Sequence, residues 1–384
     1  MKKKVLFCAT VDYHFTAFHM PYIKWFKDNG WEVHIAANGE NNIHYVDKKF
    51  NLPIQRSPFN FKNIRALKDL KNIIDENNYE IIHCHTPMGG ILARLAARKS
   101  RAKGTTKLIY TAHGFHFCKG APILNWLLYY PIEKFMAPLS DCLITINKED
   151  YELSNRSFNI KRIVHIHGVG IDTEDFKPID ELNKKVVRES FGYQPDDFLL
   201  FYAAEFNKNK NQQFLLNSLA LMKDELLNVK LLLAGEGALL NECKQLANQL
   251  GISHMVEFLG FRKDIKEILP MCDVAVGSSL REGLPVNIME AMSCGLPIIA
   301  VDNRGHRELV INNKNGWLVK SNDSTGFSSA IKDLAERKGL KERLGANSRK
   351  IIMRKYSIDK VLLEKSEVYK SYMKEMEDTM WATL

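Results

Sequence analysis

Apolar residues along the chain fall into two series of short, nearly continuous runs. The first series is Val5 to Thr10, Trp31 to Ala37, Glu80 to His85, Leu108 to His113, Cys142 to Asn147 and Ile163 to Val169. Runs that are apolar on both alternating faces, separated by stretches of helical pattern, predict strands of a parallel sheet covered by helices on each side. From Phe198 the same alternation restarts: Phe198 to Ala204, Val229 to Ala234, Val256 to Gly260, Val274 to Ser279, Ile298 to Val301 and Trp317 to Val319. Two α/β, Rossmann-like domains are therefore expected. The polar run T-E-D-F-K-P-I-D-E-L-N-K-K, Thr173 to Lys185, is the best place for a linker.

Within the second series, Ser278 to Ala300 reads as strand, turn, helix, strand. Pro285 suits a first helical position, since its missing N–H would go unpaired there, and Gly295 suits a left-handed stop, so a helix is expected from about Pro285 to Cys294. Two glutamates mark it, Glu282 in the turn and Glu290 among Ile288, Met289, Ala291 and Met292. A carboxylate in so apolar a helix needs solvent or a hydrogen-bonding partner. The helix start adds free N–H groups at Val286 and Asn287, next to the turn residues Gly283 and Leu284, and with them an anion site. A ligand joining hydroxyls to phosphates, such as a nucleotide sugar, satisfies both ends. Spacing alone fits a surface helix with two solvated glutamates equally well.

A length of 384 residues suits two domains of ordinary size, and 45% apolar residues without a biased tract suit two packed cores. The opening M-K-K-K-V-L-F-C-A-T-V breaks at Asp12 with no small-residue cleavage site behind it, so it is read as a strand and not as a signal peptide. No segment has the roughly 18 uninterrupted apolar residues of a membrane span. Seven cysteines lie singly, without a C-x-x-C pair, as buried hydrophobes of a reducing cytoplasm would. Residues 1–180 carry 25 Lys and Arg against 18 Asp and Glu, which leaves 29 against 27 for the rest. The excess in the first half suggests a polyanionic partner.

R-E-G-L-P-V-N-I-M-E-A-M-S-C-G-L-P-I-I-A closely resembles the E-x7-E signature of retaining family-four glycosyltransferases of the GT-B fold. The resemblance spans essentially the whole chain and implies two facing Rossmann-like domains with a cleft at the carboxyl ends of both sheets. It also implies a last helix crossing back to the first domain. The expected division is 1–172 with 358–384, and 173–357. Glu282 would then lie by the donor sugar and Glu290 on the ribose, with Gly283, Leu284, Val286 and Asn287 at the phosphates. In F-Y-A-A-E-F-N-K-N-K-N, Lys210 matches the lysine that holds the donor pyrophosphate, while Glu205 stands where relatives carry an arginine. Loop backbone after A-G-E-G and L-G-F-R-K-D would read the base, with Arg262 nearest it. His113 of T-A-H-G-F matches the histidine that meets the donor sugar and, with Glu282, is the expected catalytic pair.

His14 and His19 follow the first strand and are candidates for touching an acceptor phosphate or sugar, or simply for capping the next helix. The pairs His83/His85 and His165/His167 put two imidazoles on one strand face. No cysteine or carboxylate set completes a coordination sphere, and no D-x-D is present, so no metal and no other cofactor is expected. The aromatic segment Cys118 to Leu139 fits either a membrane interface or a buried helix. These readings together predict a retaining transferase that moves a sugar, N-acetylhexosamine among those expected, from a UDP-sugar to a polyprenyl-diphosphate-linked saccharide in bacterial surface polysaccharide synthesis. It would sit in the cytoplasm against the anionic inner face of the cell membrane. A UDP-sugar epimerase of the same fold is the enzymatic alternative. A basic nucleic-acid-binding protein is the non-enzymatic one, disfavoured because no recognition motif is present.

Overall fold

The computed structural model describes residues 2–382, and side chains as far as 378. The last two residues of the segment expected as a crossing helix, 383–384, lie outside the described residues. Two compact units form, one of Met1–Gly170 with Ile358–Leu384 and one of Ile171–Ser357. The division falls two residues ahead of the boundary read from the sequence.

The first unit holds β1 (Lys4–Val11), β2 (Glu32–Asn38), β3 (Lys48–Asn51), β4 (Ile81–His85), β5 (Lys107–Ala112), β6 (Cys142–Thr145) and β7 (Ile163–His165). They make one parallel sheet in the order β3-β2-β1-β4-β5-β6-β7. Strand β3 escapes the apolar pattern because K-K-F-N sits at the edge, where backbone pairing with β2 suffices and lysines discourage a further strand. The helix Ile358–Ala382 belongs to this unit. Val361, Val368, Tyr369 and Tyr372 bury themselves among Val5, Phe7, Phe26 and Ile144, and the Tyr369 hydroxyl lies 2.8 Å from His83 Nδ1.

The second unit holds β8 (Phe198–Ala203), β9 (Val229–Ala234), β10 (Val256–Gly260), β11 (Val274–Gly277), β12 (Ile298–Val301) and β13 (Gly316–Val319). They form a parallel sheet in the order β10-β9-β8-β11-β12-β13. The polar run expected as a linker is instead packed into this unit. Its helix Glu181–Ser190 brings Lys184 Nζ to 3.0 Å and Arg188 Nη2 to 2.6 Å from the buried Asp273 carboxylate, which Lys341 also reaches at 2.8 Å. Those cations hold the Asp273 carboxyl down at about 2 against the cost of burial. The end of this polar sequence is thus held by one of its charges, Lys184, which has a buried partner while the others stay exposed.

All seven cysteines are buried and unbridged. No described helix is long and apolar enough to cross a membrane.

Candidate functional site

Both sheets reverse their strand order once, between β1 and β4 and between β8 and β11. At such a point the loops leaving neighbouring strands diverge to opposite faces and open a crevice at the carboxyl ends. In the second unit the crevice lies between the loop after β8 and the loop after β11, and the two are stitched together. Ser278 Oγ donates to the Lys210 carbonyl at 2.7 Å, Leu280 N–H to the Asn209 carbonyl at 2.8 Å, and Asn209 Nδ2 to the Arg281 carbonyl at 3.0 Å. Asn211 takes the left-handed conformation that ends the first loop.

This stitching brings Lys210 Nζ to 2.6 Å from Glu282 Oε1, with both side chains mostly shielded from solvent. The sequence reading gave these two residues separate contacts, Lys210 the donor pyrophosphate and Glu282 the donor sugar. The structure joins them in one ion pair, because loop hydrogen bonds that no spacing rule reveals draw the two segments together. Glu282 is also fixed from behind. The buried Arg304 donates through Nε to the Glu282 carbonyl at 2.9 Å, and a Cβ on Gly305 would come within 2.7 Å of the Glu282 Cβ. Arg304 and Gly305 open the helix Arg304–Leu309, capped by Asn303. Neither residue was picked out by sequence. The available signal was a polar N-R-G-H-R directly after β12.

The signature helix runs Val286–Ser293, with Pro285 at its N-cap instead of its first turn and Gly295 in the expected left-handed stop. Leu284 is buried ahead of it. The Val286 and Asn287 N–H groups belong to the first turn, where helix geometry supplies no acceptor. The Asn287 side chain anchors this end by donating to the Ala203 carbonyl at 2.9 Å. Further along, burial pushes the Glu290 carboxyl up to about 7. Among the described residues no donor reaches that carboxyl, which is half-buried and so is left to solvent or to a ligand.

A cavity of about 380 Å³ beside these loops is lined by Ala203, Ala204, Glu205, Gly235, Phe261 and Arg262 among others. Gly235 (φ +140°) permits it, since a Cβ there would fall 2.1 Å from the Ala204 carbonyl oxygen. Arg262 lines this cavity while forming a two-bond ion pair with Asp264, its Nε 2.8 Å from Oδ1.

In the first unit a pocket of about 420 Å³ is lined by Thr10, His14, Arg56, Tyr110, Phe117 and Glu133 among others. Beneath it the buried Arg94 holds Glu133 at 2.9 Å and lies over the Tyr110 ring. The sequence candidates for the acceptor separate here. His14 faces the pocket, whereas His19 is completely buried. His113 Nε2 stands 3.3 Å from His85 Nδ1, and His14 Nε2 stands 3.1 Å from His19 Nε2. The sequence reading did not foresee this gathering of His14, His19, His85 and His113, because they lie on three segments that only the fold brings together. His83, the strand partner of His85 in the sequence reading, bonds instead to Tyr369 and Thr111.

The aromatic segment forms the helix Ile123–Met136. Trp126, Tyr129 and Tyr130 pack on the core, while Ile123, Leu124, Leu127 and Phe135 are each at least 70% exposed. Phe59 and Phe61 are exposed as well.

Residues 183–351 match the family model described as glycosyl transferases group 1, and residues 4–147 match that described as glycosyl transferase 4-like. EpsD of Bacillus subtilis (strain 168), a glycosyltransferase by assignment, is 50% identical over 97% of this chain and 98% of its own. The Escherichia coli UDP-Gal:alpha-D-GlcNAc-diphosphoundecaprenol alpha-1,3-galactosyltransferase is 29% identical over 80% of this chain and 81% of its own. Among solved structures, Anabaena HepE in complex with UDP superposes with a TM-score of 0.79 at 19% identity, covering 96% of this chain and 100% of that one. Two parallel-sheet units, the paired-glutamate helix and a relative identical at half its positions along nearly its whole length lead to one assignment: the chain belongs to the family-four glycosyltransferases of the GT-B fold.

Proposed function

We propose that this glycosyltransferase is a retaining enzyme that takes its sugar from a UDP-sugar and delivers it to a hydroxyl of a polyprenyl-diphosphate-linked saccharide in bacterial surface polysaccharide synthesis. The observation that carries the donor half is the Glu290 carboxyl, half-buried and without a protein donor among the described residues, in a helix whose first-turn N–H groups have no acceptor within the helix. A ribose diol supplies the missing donors and a diphosphate takes the N–H groups. The base occupies the cavity beside Phe261 and Arg262. Lys210 turns to the pyrophosphate and leaves Glu282 to the sugar hydroxyls, so that donor handling rests on protein cations and helix amides and not on a metal. Bound UDP in HepE and the lipid-linked acceptor named for the E. coli relative support this reading.

On the acceptor side, the pocket bounded by Arg56 and aromatic walls suits a saccharide diphosphate. The exposed face of the helix Ile123–Met136 suits an anionic membrane surface, from which such an acceptor would be drawn. Incubation with a panel of UDP-sugars and extracted lipid acceptor, followed by chromatography and anomeric analysis of the product, tests the whole proposal. A radiolabelled lipid-linked product with the donor's anomeric configuration is expected. Epimerised UDP-sugar formed without acceptor would replace it with the epimerase reading.

A further inference from the structure

Glu282 stands in the loop 278–285, between β11 and the signature helix, where neither sheet pairing nor helical turns set the backbone. Side chains from other segments set it instead. The Ser279 carbonyl accepts from Asn303 Nδ2 at 2.8 Å, the Arg281 carbonyl from Asn209 Nδ2 at 3.0 Å and the Glu282 carbonyl from Arg304 Nε at 2.9 Å. Asn303, Arg304 and Gly305 are consecutive, and all three meet this loop. The Asn303 side-chain oxygen accepts from the His306 N–H at 3.0 Å while its amide serves the loop, so helix start and loop are held as one piece. Gly305 lies so close that a Cβ there would stand 2.7 Å from the Glu282 Cβ and 3.1 Å from the Gly283 carbonyl oxygen, an approach that only glycine allows. Arg304 is 7% exposed. A buried guanidinium carries a desolvation cost that an apolar residue of similar size would avoid, and here it is directed at the backbone of the residue assigned to the donor sugar.

We propose that Arg304, with Gly305 behind it, is a positioning residue for sugar transfer: it sets where the Glu282 carboxylate stands against the donor sugar and takes no part in holding UDP. The inference rests on the reading that Glu282 meets the sugar. In the structure that carboxylate is also fixed by Lys210, at 2.6 Å. When Lys210 turns to the pyrophosphate this hold is released, at the moment the carboxylate must face the sugar hydroxyls. The hold from Arg304 survives the exchange, because it is made to the carbonyl and not to the carboxylate. Register in the donor complex therefore depends on Arg304 more than it does in the free protein. A displacement of about 1 Å can cost a hundredfold in rate. The first turn of the signature helix and the cavity beside Phe261, which serve UDP, are built from other residues. Loss of Arg304 should thus reach turnover without reaching nucleotide affinity. A lysine can renew one bond to the carbonyl but not the planar fork, so Arg304→Lys should restore part of the rate.

The test compares the parent, Arg304→Ala, Glu282→Gln and the double variant, each as the full chain. In Arg304→Ala the calorimetric affinity for UDP should stay within about twofold, while the transfer rate at saturating UDP-sugar falls by about ten- to a hundredfold. The double variant should be no slower than Glu282→Gln, since a residue that acts through Glu282 then has nothing left to position. Losses that multiply, a UDP affinity that falls as far as the rate, an unchanged rate in Arg304→Ala, or no rescue by Arg304→Lys would overturn the proposal. Arg307→Gln, on the same helix and paired with Asp302 at 2.7 Å, is the control and should transfer as the parent does. If Arg304→Ala does not fold, Gly305→Ala displaces Glu282 from the same side and should show the same split and the same lack of additivity. If no UDP-sugar on the panel is transferred, the affinity gap between UDP-N-acetylglucosamine and UDP is read across the same four proteins, and independent effects of the two substitutions there overturn the proposal. Full activity in Glu282→Gln would remove the donor reading and the proposal with it, whereas a slow Glu282→Gln beside a fully active Arg304→Ala would remove the proposal alone.

Discussion

The Glu290 carboxyl gives the donor site a pH signature. An unfolded glutamate titrates near 4.5, whereas the folded one titrates at about 7 because burial disfavours its charge. Between those values the folded state holds a proton that the unfolded chain has released, so stability falls as pH rises from about 4.5 to 7 and stays lower above. The displacement from about 4.5 to about 7 is worth about 3.5 kcal/mol as an upper figure, at about 1.4 kcal/mol for each tenfold. Glu290→Gln, which keeps the shape and cannot ionise, should remove that slope and stabilise the second unit at pH 8. For a unit of this size the gain is roughly 2–4 °C per kcal/mol. Ligand binding should act in the opposite direction. Ribose hydroxyls donate to the ionised carboxylate and pull its pKa down, so UDP binding at pH 6 should release about one proton more from the parent than from Glu290→Gln, the phosphate's own ionisation near 6 being common to both. Calorimetry in buffers of different ionisation heat counts those protons. A parent that releases no more than the variant, or a variant with an undiminished pH slope, would refute the assignment of Glu290 to the ribose.

Lys210→Ala should weaken UDP binding about ten- to a hundredfold, the worth of a charge-assisted bond of roughly 1.5–3 kcal/mol, with uridine bound as before; calorimetry showing unchanged UDP affinity would place the pyrophosphate elsewhere. Asp273→Asn should cost the second unit several kcal/mol by stranding Lys184, Arg188 and Lys341, roughly 3–5 by analogy with broken buried pairs, read from denaturant unfolding. In the parent, the depressed Asp273 carboxyl contributes stability that is fully present above about pH 4 and is lost as pH falls towards 2, a loss the variant should not show. Leu127→Glu should reduce sedimentation with anionic vesicles, and high salt should do the same; binding insensitive to both would remove the membrane proposal.

Strands at the centre of both sheets were legible because parallel strands are covered on both faces and read as unbroken apolar runs. The edge strand β3 was not, since its pairing is made by backbone and its side chains are K-K-F-N. The paired glutamates were legible for a related reason, as a charge within an apolar helix is conspicuous at any level. The Lys210–Glu282 pair, the Arg304 brace and the four-histidine cluster were not. Each joins segments whose meeting depends on loop hydrogen bonds or strand order, and neither quantity has a periodicity. The polar run at Thr173–Lys185 lies within the second unit although most of its charges stay in water, because its one buried cation, Lys184, reaches Asp273. The segment Cys118 to Leu139, open in the sequence to either a membrane interface or a buried helix, divides between the two, Trp126 packing on the core while its aliphatic neighbours face outward.

The unbridged cysteines make the chain its own clock for opening. Cys8, Cys84, Cys118 and Cys142 lie in the first unit and Cys243, Cys272 and Cys294 in the second, all enclosed. Enclosure also suppresses the reactive thiolate, with Cys84 and Cys142 pushed up to about 12 and Cys243 to about 11. An alkylating reagent therefore waits for each unit to open. Peptide-resolved labelling times would report the lifetimes of the two units separately, in one unmodified protein and without a denaturant.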